Sequence, residues 1–144
     1  MGNTMSHMAS PDDQRIRFVG PNAITNPSST LLLVAAPSTD TTPWRIRGTI
    51  SASDEERQIN RLIDTKNDDF TRKIEIVYYG LNSTDRAPET QVRKLLQYGL
   101  VASVFRGGLF EWGLLREVFG EAAYGIDNRG TNRGASFNCL DFLA

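Results

Sequence analysis

The chain has 144 residues, of which 40% are hydrophobic and 23% are charged, with 16 basic and 17 acidic side chains. This composition is typical of one soluble globular domain. The formal charge of −1 provides no bulk field that would favour nucleic acid or an anionic membrane as a partner. No apolar run approaches the roughly 18 residues of a membrane-spanning helix, which excludes an integral membrane protein.

Cysteine and histidine are scarce, with one of each in the chain, Cys139 and His7. A single cysteine allows no intramolecular disulfide, which suits a reducing compartment and predicts a cytoplasmic location. One cysteine and one remote histidine cannot form a structural zinc site, and the acidic pairs lack the spread of oxygen ligands of a calcium loop. Neither phosphate-binding glycine motif, GxGxxG or GxxxxGK[ST], is present. We therefore expect no metal and no cofactor.

The first fourteen residues, MGNTMSHMASPDDQ, show no hydrophobic periodicity and predict a disordered lead, 1–14. Gly2 and Ser6 fit the N-myristoylation pattern, which would place the protein at the cytoplasmic face of a membrane. The alternative is that SHMAS is a restriction-site cloning remnant and the segment an artefact. Because a single acyl chain gives marginal, reversible attachment, membrane association is expected only if Gly2 is acylated.

The structured domain is expected over residues 15–120. A short edge strand is predicted by RIRFVG, and turns are predicted by GPNAITNPSS. The next segment, TLLLVAAP, is a continuous apolar run of the kind that forms buried strands in parallel sheets. It is followed by a further short strand, WRIRGTIS, with a bend at Gly48.

The first strong helix signal is a capping box in which Ser53 is followed by Glu56, just before an apolar stripe at helical spacing. A polar loop is then predicted over DTKNDDFTR and a strand over KIEIVYYG. The following helix is APETQVRKLLQYG, with Gly99 as its C-terminal cap.

The chain then continues with a strand over LVASVFRGG and a largely buried helix over LFEWGLLREVFG. Strands that alternate with helices predict an α/β fold, with a central, mostly parallel sheet of about five strands and helices on both faces. The remaining residues, 121–144, are rich in glycine and asparagine and predict a loosely held C-terminal tail.

Three segments of the chain carry a resemblance to one known family. The strand–Gly–Gly–helix segment of rhodanese-like domains is similar to VFRGGLFEW, residues 104–112. The active-site strand and loop of that family resemble IVYYG and the residues after it. The family segment Gly-His-Ile-x-Gly-Ala resembles WRIRGTI, with Ile46 and Gly48 in register. The resemblance covers residues 15–120 and implies a three-layer rhodanese-like domain, the fold shared with cell-cycle phosphatases.

The resemblance also implies a sulfurtransferase site that has lost its nucleophile. Rhodaneses carry a cysteine at the end of this strand, which takes up sulfur as a persulfide, whereas this chain has Gly80. The histidine of the Gly-His-Ile segment is replaced by Arg45. Arg86 keeps the Cys-x5-Arg spacing of the related dual-specificity phosphatases, which suits a bidentate contact with an oxyanion. The expected anion-binding loop comprises Gly80, Leu81, Asn82, Ser83, Thr84, Asp85 and Arg86.

Other nucleophiles find little support in the sequence. Ser83 and Thr84 have no histidine base in the domain, and we expect them to cap the following helix. Cys139 lies among apolar residues beyond the region of resemblance and is expected to be a small packing residue.

We therefore expect a catalytically inactive binding or regulatory module. Its partner would be a protein or a small oxyanion, and not nucleic acid, because acidic residues are interleaved with the basic ones. Two alternatives remain open: a thiosulfate-type sulfurtransferase that uses Cys139, and a membrane-associated adaptor that is myristoylated at Gly2.

Overall fold

The computed structural model describes residues 16–143. The predicted disordered lead and the predicted acylation at Gly2 lie outside these residues. The strands are β1 (Arg17–Val19), β2 (Leu31–Ala35), β3 (Trp44–Ile46), β4 (Glu75–Tyr79), β5 (Ala102–Phe105) and β6 (Ile126–Asn128). The α-helices are α1 (Asn22–Thr25), α2 (Ala52–Asp64), α3 (Asp69–Arg72), α4 (Ala87–Gln97) and α5 (Gly108–Phe119), and 3₁₀ helices cover Pro37–Thr41 and Cys139–Phe142.

Within residues 16–143, the main sheet has four parallel strands in the order β1-β5-β4-β2. Within it, Val77 on β4 lies between Leu33 on β2 and Ser103 on β5. The α/β class and the mostly parallel sheet are as predicted, but the predicted number of about five strands is too high. The segment expected to supply another strand, β3, pairs antiparallel with β6 in a separate two-stranded sheet. After the end of β3, an isolated parallel bridge between Leu33 and Thr49 links this segment to the main sheet.

The sheet lies between two helical layers, because alternate residues of each strand point to opposite faces. On one face, Ile76 and Tyr78 of β4 belong to a buried cluster with residues of α2 and α4, namely Leu62, Val92 and Leu95. On the other face, Val77 and Tyr79 belong to a second buried cluster, which includes Phe105 of β5 and Leu109 and Trp112 of α5. The continuous apolar character of β2 and β4 follows from this two-sided burial.

Local structure differs from the prediction at two places. Helix α2 begins at Ala52, and its N-cap is Ser51 rather than Ser53. The Ser51 hydroxyl donates a hydrogen bond to Asp54 Oδ2 at 3.0 Å, so the helix starts at a serine–acid pair two residues before the predicted one. The predicted polar loop after α2 also contains a short helix, Asp69–Arg72.

Two parts of segment 121–143 are packed on the domain more closely than its composition predicts. The β6 strand pairs with β3, and the ring of Phe137 stacks on Phe142 with centroids 5.6 Å apart. Gly113 on α5 makes room for this segment, since a Cβ there would lie 2.9 Å from Phe137 Cζ. The absence of a side chain at this position of α5 thus allows the C-terminal segment to pack directly against the helix.

Two buried tyrosines lie at the end of β4, and because of them we expect the domain to lose stability in alkali. Burial raises the pKa of Tyr79, although its hydroxyl accepts a hydrogen bond from Ile46 N at 2.9 Å. Burial, together with the charge of Glu55, also raises the pKa of Tyr78. The folded state therefore favours the neutral phenols, so their stabilisation is complete below the unfolded pKa of 10.0 and is lost as the pH rises through the higher folded values.

We expect the urea midpoint to fall steadily above about pH 10, and Tyr79→Phe to make that fall shallower while lowering the midpoint at neutral pH. The same replacement at the exposed Tyr98 is the control and should leave the profile unchanged. A midpoint that stays constant from about pH 9 to about pH 11 would contradict this prediction.

Candidate functional site

The predicted loop lies at the carboxyl edge of the main sheet. Strands β2, β4 and β5 are parallel neighbours, so the segments that follow them meet at this edge. In open α/β sheets this edge is where ligands bind. The residues after β4 form loop 80–86, and those after β5 are Arg106 and the Gly-Gly pair that opens α5.

The first residues of α5 hold the start of the loop through backbone hydrogen bonds. Leu109 N donates to Gly80 O and Phe110 N donates to Leu81 O, both at 3.0 Å. These bonds satisfy two of the amides that a helix N-terminus leaves without intrahelical partners. Gly108 has φ +61°, and a Cβ there would overlap Gly80 O and lie 3.0 Å from Asn82 N. The glycine is therefore required for the close approach of the two backbones.

The interior of the loop is filled by the side chain of Asp85. Its Oδ2 accepts hydrogen bonds from Leu81 N, at 2.8 Å, and from the Ser38 hydroxyl. Its Oδ1 accepts a hydrogen bond from Ala87 N, at 3.0 Å, in the first turn of α4. Two backbone amides at the place expected to bind an external anion are thus occupied by a carboxylate of the chain itself.

The same carboxylate occupies the space beside Gly80. A Cβ built on Gly80 would overlap Asp85 Oδ2 and would lie 2.8 Å from Asp85 Cγ and 3.0 Å from Pro88 Cγ. Any side chain at this position therefore has to displace Asp85 and break its hydrogen bonds. The sequence shows the glycine at this position, but it does not reveal the group that fills the space beside it.

The predicted capping role of Ser83 and Thr84 is wrong. Both are exposed, and the backbone amide and hydroxyl of Thr84 donate to Asn82 Oδ1 at 3.0 and 2.8 Å. The side chain that reaches the first turn of α4 belongs to Asp85, which is closer to the helix and turned inward. Asn82 also donates from Nδ2 to Phe142 O at 2.9 Å, which joins the loop to the C-terminal 3₁₀ helix.

Arg86 points to a neighbouring acid on α4. Its Nε donates to Glu89 Oε2 at 3.2 Å, while 74% of its side chain is exposed. Arg93 Nη2 lies 3.9 Å from Glu89 Oε2, and Arg106 Nη2 lies 3.8 Å from Glu89 Oε1. Glu89 is buried, with 8% of its side chain exposed. We call Arg86, Arg93 and Arg106 around this carboxylate the arginine cluster.

Glu89 is not among the site residues predicted from the sequence. A local signal was present, because arginines three residues before and four residues after an acid lie on the same face of a helix. The third arginine, Arg106, comes from the end of β5 and reaches Glu89 only through the parallel pairing of β4 with β5.

Cys139 is buried on the face of α5, as expected of a packing residue, with 2% of its surface exposed. Its Sγ lies 4.0 Å from Glu117 Oε1, and burial beside this carboxylate raises the pKa of the thiol. At neutral pH the group is therefore protonated and a poor nucleophile. The 3₁₀ helix that carries it contacts loop 80–86 through the carbonyl of Phe142.

Neither a metal centre nor a membrane span is found in the described part of the chain. Across residues 16–143, no three histidine, cysteine or acidic side chains lie close enough together to hold a metal ion. None of the helices in the same range combines the length and apolar character needed to cross a membrane.

Comparison with protein-family models and with curated proteins gives no match. Among solved structures, the chain is similar to the BH2092 protein from Bacillus halodurans, with a TM-score of 0.53 and 15% sequence identity. The similarity covers 78% of this chain and 77% of that protein. At this identity the likeness concerns the fold alone, and it agrees with the arrangement of helices on both sides of a mostly parallel sheet.

Proposed function

We propose that this chain is a rhodanese-like domain without sulfurtransferase activity that acts as a binding or regulatory module in the cytoplasm. The observation that carries the proposal is the position of Asp85, whose carboxylate fills the space beside Gly80 and takes up the Leu81 amide. The succession of strand β4, loop 80–86 and helix α4 supports the proposal, in which glycine stands in place of the family's nucleophile and Asp85 fills the anion site.

Electrostatics at the loop also oppose persulfide chemistry. A thiolate nucleophile needs local positive potential, which backbone amides and a helix N-terminus can provide. Here Asp85 places a negative charge on the amides of Leu81 and Ala87. That charge would repel both a thiolate and an incoming anion such as thiosulfate.

The test is sulfur transfer from thiosulfate to cyanide by the purified protein. We expect the wild type to stay at the background rate, and Gly80→Cys to stay there too, because its side chain collides with Asp85. The double variant Gly80→Cys/Asp85→Ala removes the collision and the charge and should gain transfer activity. Wild-type activity well above background would overturn the proposal, and activity in Gly80→Cys alone would show that Asp85 is no obstacle.

The two other functions have their own tests. A Cys139 sulfurtransferase is disfavoured by the burial of the thiol, and Cys139→Ser in the same assay decides it, since activity that survives the replacement cannot use that thiol. An adaptor anchored through Gly2 is tested by the intact mass of protein from native cells, which shows or excludes a myristoyl group.

A further inference from the structure

The arginine cluster carries more positive charge than its buried acid requires. A buried carboxylate is costly without a cation, and one well-placed arginine compensates for it. Three guanidinium groups lie within 3.9 Å of Glu89, and each of them has Glu89 as its acidic partner among the described residues. The sequence neighbour Asp85 is hydrogen-bonded inside the loop. Counted over Glu89 and the three arginines alone, the cluster carries a net charge of about +2.

The arginines are held in place and are still accessible. Arg86 donates a hydrogen bond to Glu89, Arg93 and Arg106 lie within ion-pair distance of the same carboxylate, and Arg106 also packs 3.9 Å above the centroid of the Phe18 ring. Their side chains remain 74%, 33% and 55% exposed for Arg86, Arg93 and Arg106, respectively. A guanidinium carries five N–H donors, so each arginine keeps donors for a second anion after its contact with Glu89. Much of the ordering cost of long side chains is thus met before any ligand arrives.

We infer that the arginine cluster binds a phosphoryl group carried by a segment of a partner protein, an inference that rests on the proposed role as a binding module. The net charge of about +2 matches the charge of about −1.5 to −2 of a phosphorylated side chain at neutral pH. A phosphoryl group also has three acceptor oxygens, so it can accept hydrogen bonds from more guanidinium groups than the two oxygens of one carboxylate can.

The surface around the cluster favours a phosphorylated polypeptide over free phosphate. The arginines stand on an open surface, where a lone phosphate stays largely hydrated and gains little from the contact. Phe18 is 43% exposed directly beside Arg106 and offers apolar contact to residues that flank a phosphorylated side chain. Arginine clusters of this kind are a recurrent way of recognising phosphorylated segments.

The experiment is fluorescence anisotropy of a labelled phosphoserine peptide library, with its unphosphorylated twin measured in parallel. We expect the wild type to bind the phosphorylated library preferentially, with an affinity that falls as salt is added. Arg86→Gln and Arg106→Gln should each weaken binding by about tenfold. Arg57→Gln is the matched control, because Arg57 is an exposed arginine paired with Asp54 on α2, and it should bind like the wild type.

Several results would overturn the inference. Equal binding of both libraries would exclude phosphoryl recognition, and unchanged binding by Arg86→Gln and Arg106→Gln would exclude the arginine cluster. Competition by inorganic phosphate at concentrations equal to the peptide would identify free phosphate as the ligand. Preferential binding to vesicles that contain phosphatidylinositol phosphates would identify a membrane. Sulfur transfer is measured in a separate assay. Activity there would overturn the proposed function, whereas a loss of peptide binding would overturn only the inference about the arginine cluster.

Discussion

Gly108→Ala is expected to destabilise the domain by about 3 kcal/mol or more, since a positive φ and a backbone collision add at one residue. Its φ of +61° is unfavourable for any residue with a side chain, and the new Cβ would overlap Gly80 O and lie 2.9 Å from Gly80 C. Both neighbours are backbone atoms and cannot rotate away. The measurement is urea unfolding followed by tryptophan fluorescence.

Two other glycines separate the two causes of this effect. Gly120 has φ +97° and open space where a Cβ would stand, with no atom within 4 Å, so Gly120→Ala should cost only the backbone strain, about 1–3 kcal/mol. Gly20 also has open space around it and is not among the glycines with positive φ, so Gly20→Ala should be nearly neutral. If Gly108→Ala were no more destabilising than Gly120→Ala, the close approach of α5 to loop 80–86 would not be a structural requirement.

Trp112→Ala is expected to cost about 3–5 kcal/mol of unfolding free energy, because it removes the largest side chain from the core below loop 80–86. The indole is 2% exposed and makes edge contacts with Phe105 and Tyr124, with centroids 6.1 and 5.0 Å away. Its Nε1 donates to Gly125 O at 2.9 Å, so the same replacement leaves a buried carbonyl without its partner.

The matched control for Trp112→Ala lies on the same helix. Phe119 is 66% exposed at the end of α5, and Phe119→Ala should cost less than about 1 kcal/mol. Both variants are compared by the urea midpoint and its slope. A similar loss in the two variants would mean that α5 is not anchored to the sheet through its buried face.

Much of the fold is predictable from the sequence because its strongest signals are local. The apolar runs of β2 and β4 and the glycine that ends α5 are visible within a few residues, and the observed elements lie close to the predicted bounds. Where two candidate N-cap residues lie close together, the observed start of the helix differs from the predicted one. Ser51 and Ser53 each have an acid three residues later, and Ser51 is the residue at the N-cap.

The features that the sequence does not predict depend on residues distant along the chain. The orientation of Asp85 is fixed in part by the hydroxyl of Ser38, 47 residues earlier. The pairing of β3 with β6 joins two strands of three residues each, too short to show a clear alternation. The candidate site also depends on distant residues. Its residues can be read from the sequence, but the contacts between them cannot.

The filled space beside Gly80 also restricts the evolutionary paths that lead to or from a thiol at this position. A change from glycine to cysteine meets the carboxylate of Asp85, so it is disfavoured as a first step. A change at Asp85 alone leaves Leu81 N and Ala87 N without their acceptor, so it is disfavoured as well. Each single replacement is therefore expected to lower the stability of the domain, so the effects of changes at Gly80 and Asp85 should not be additive.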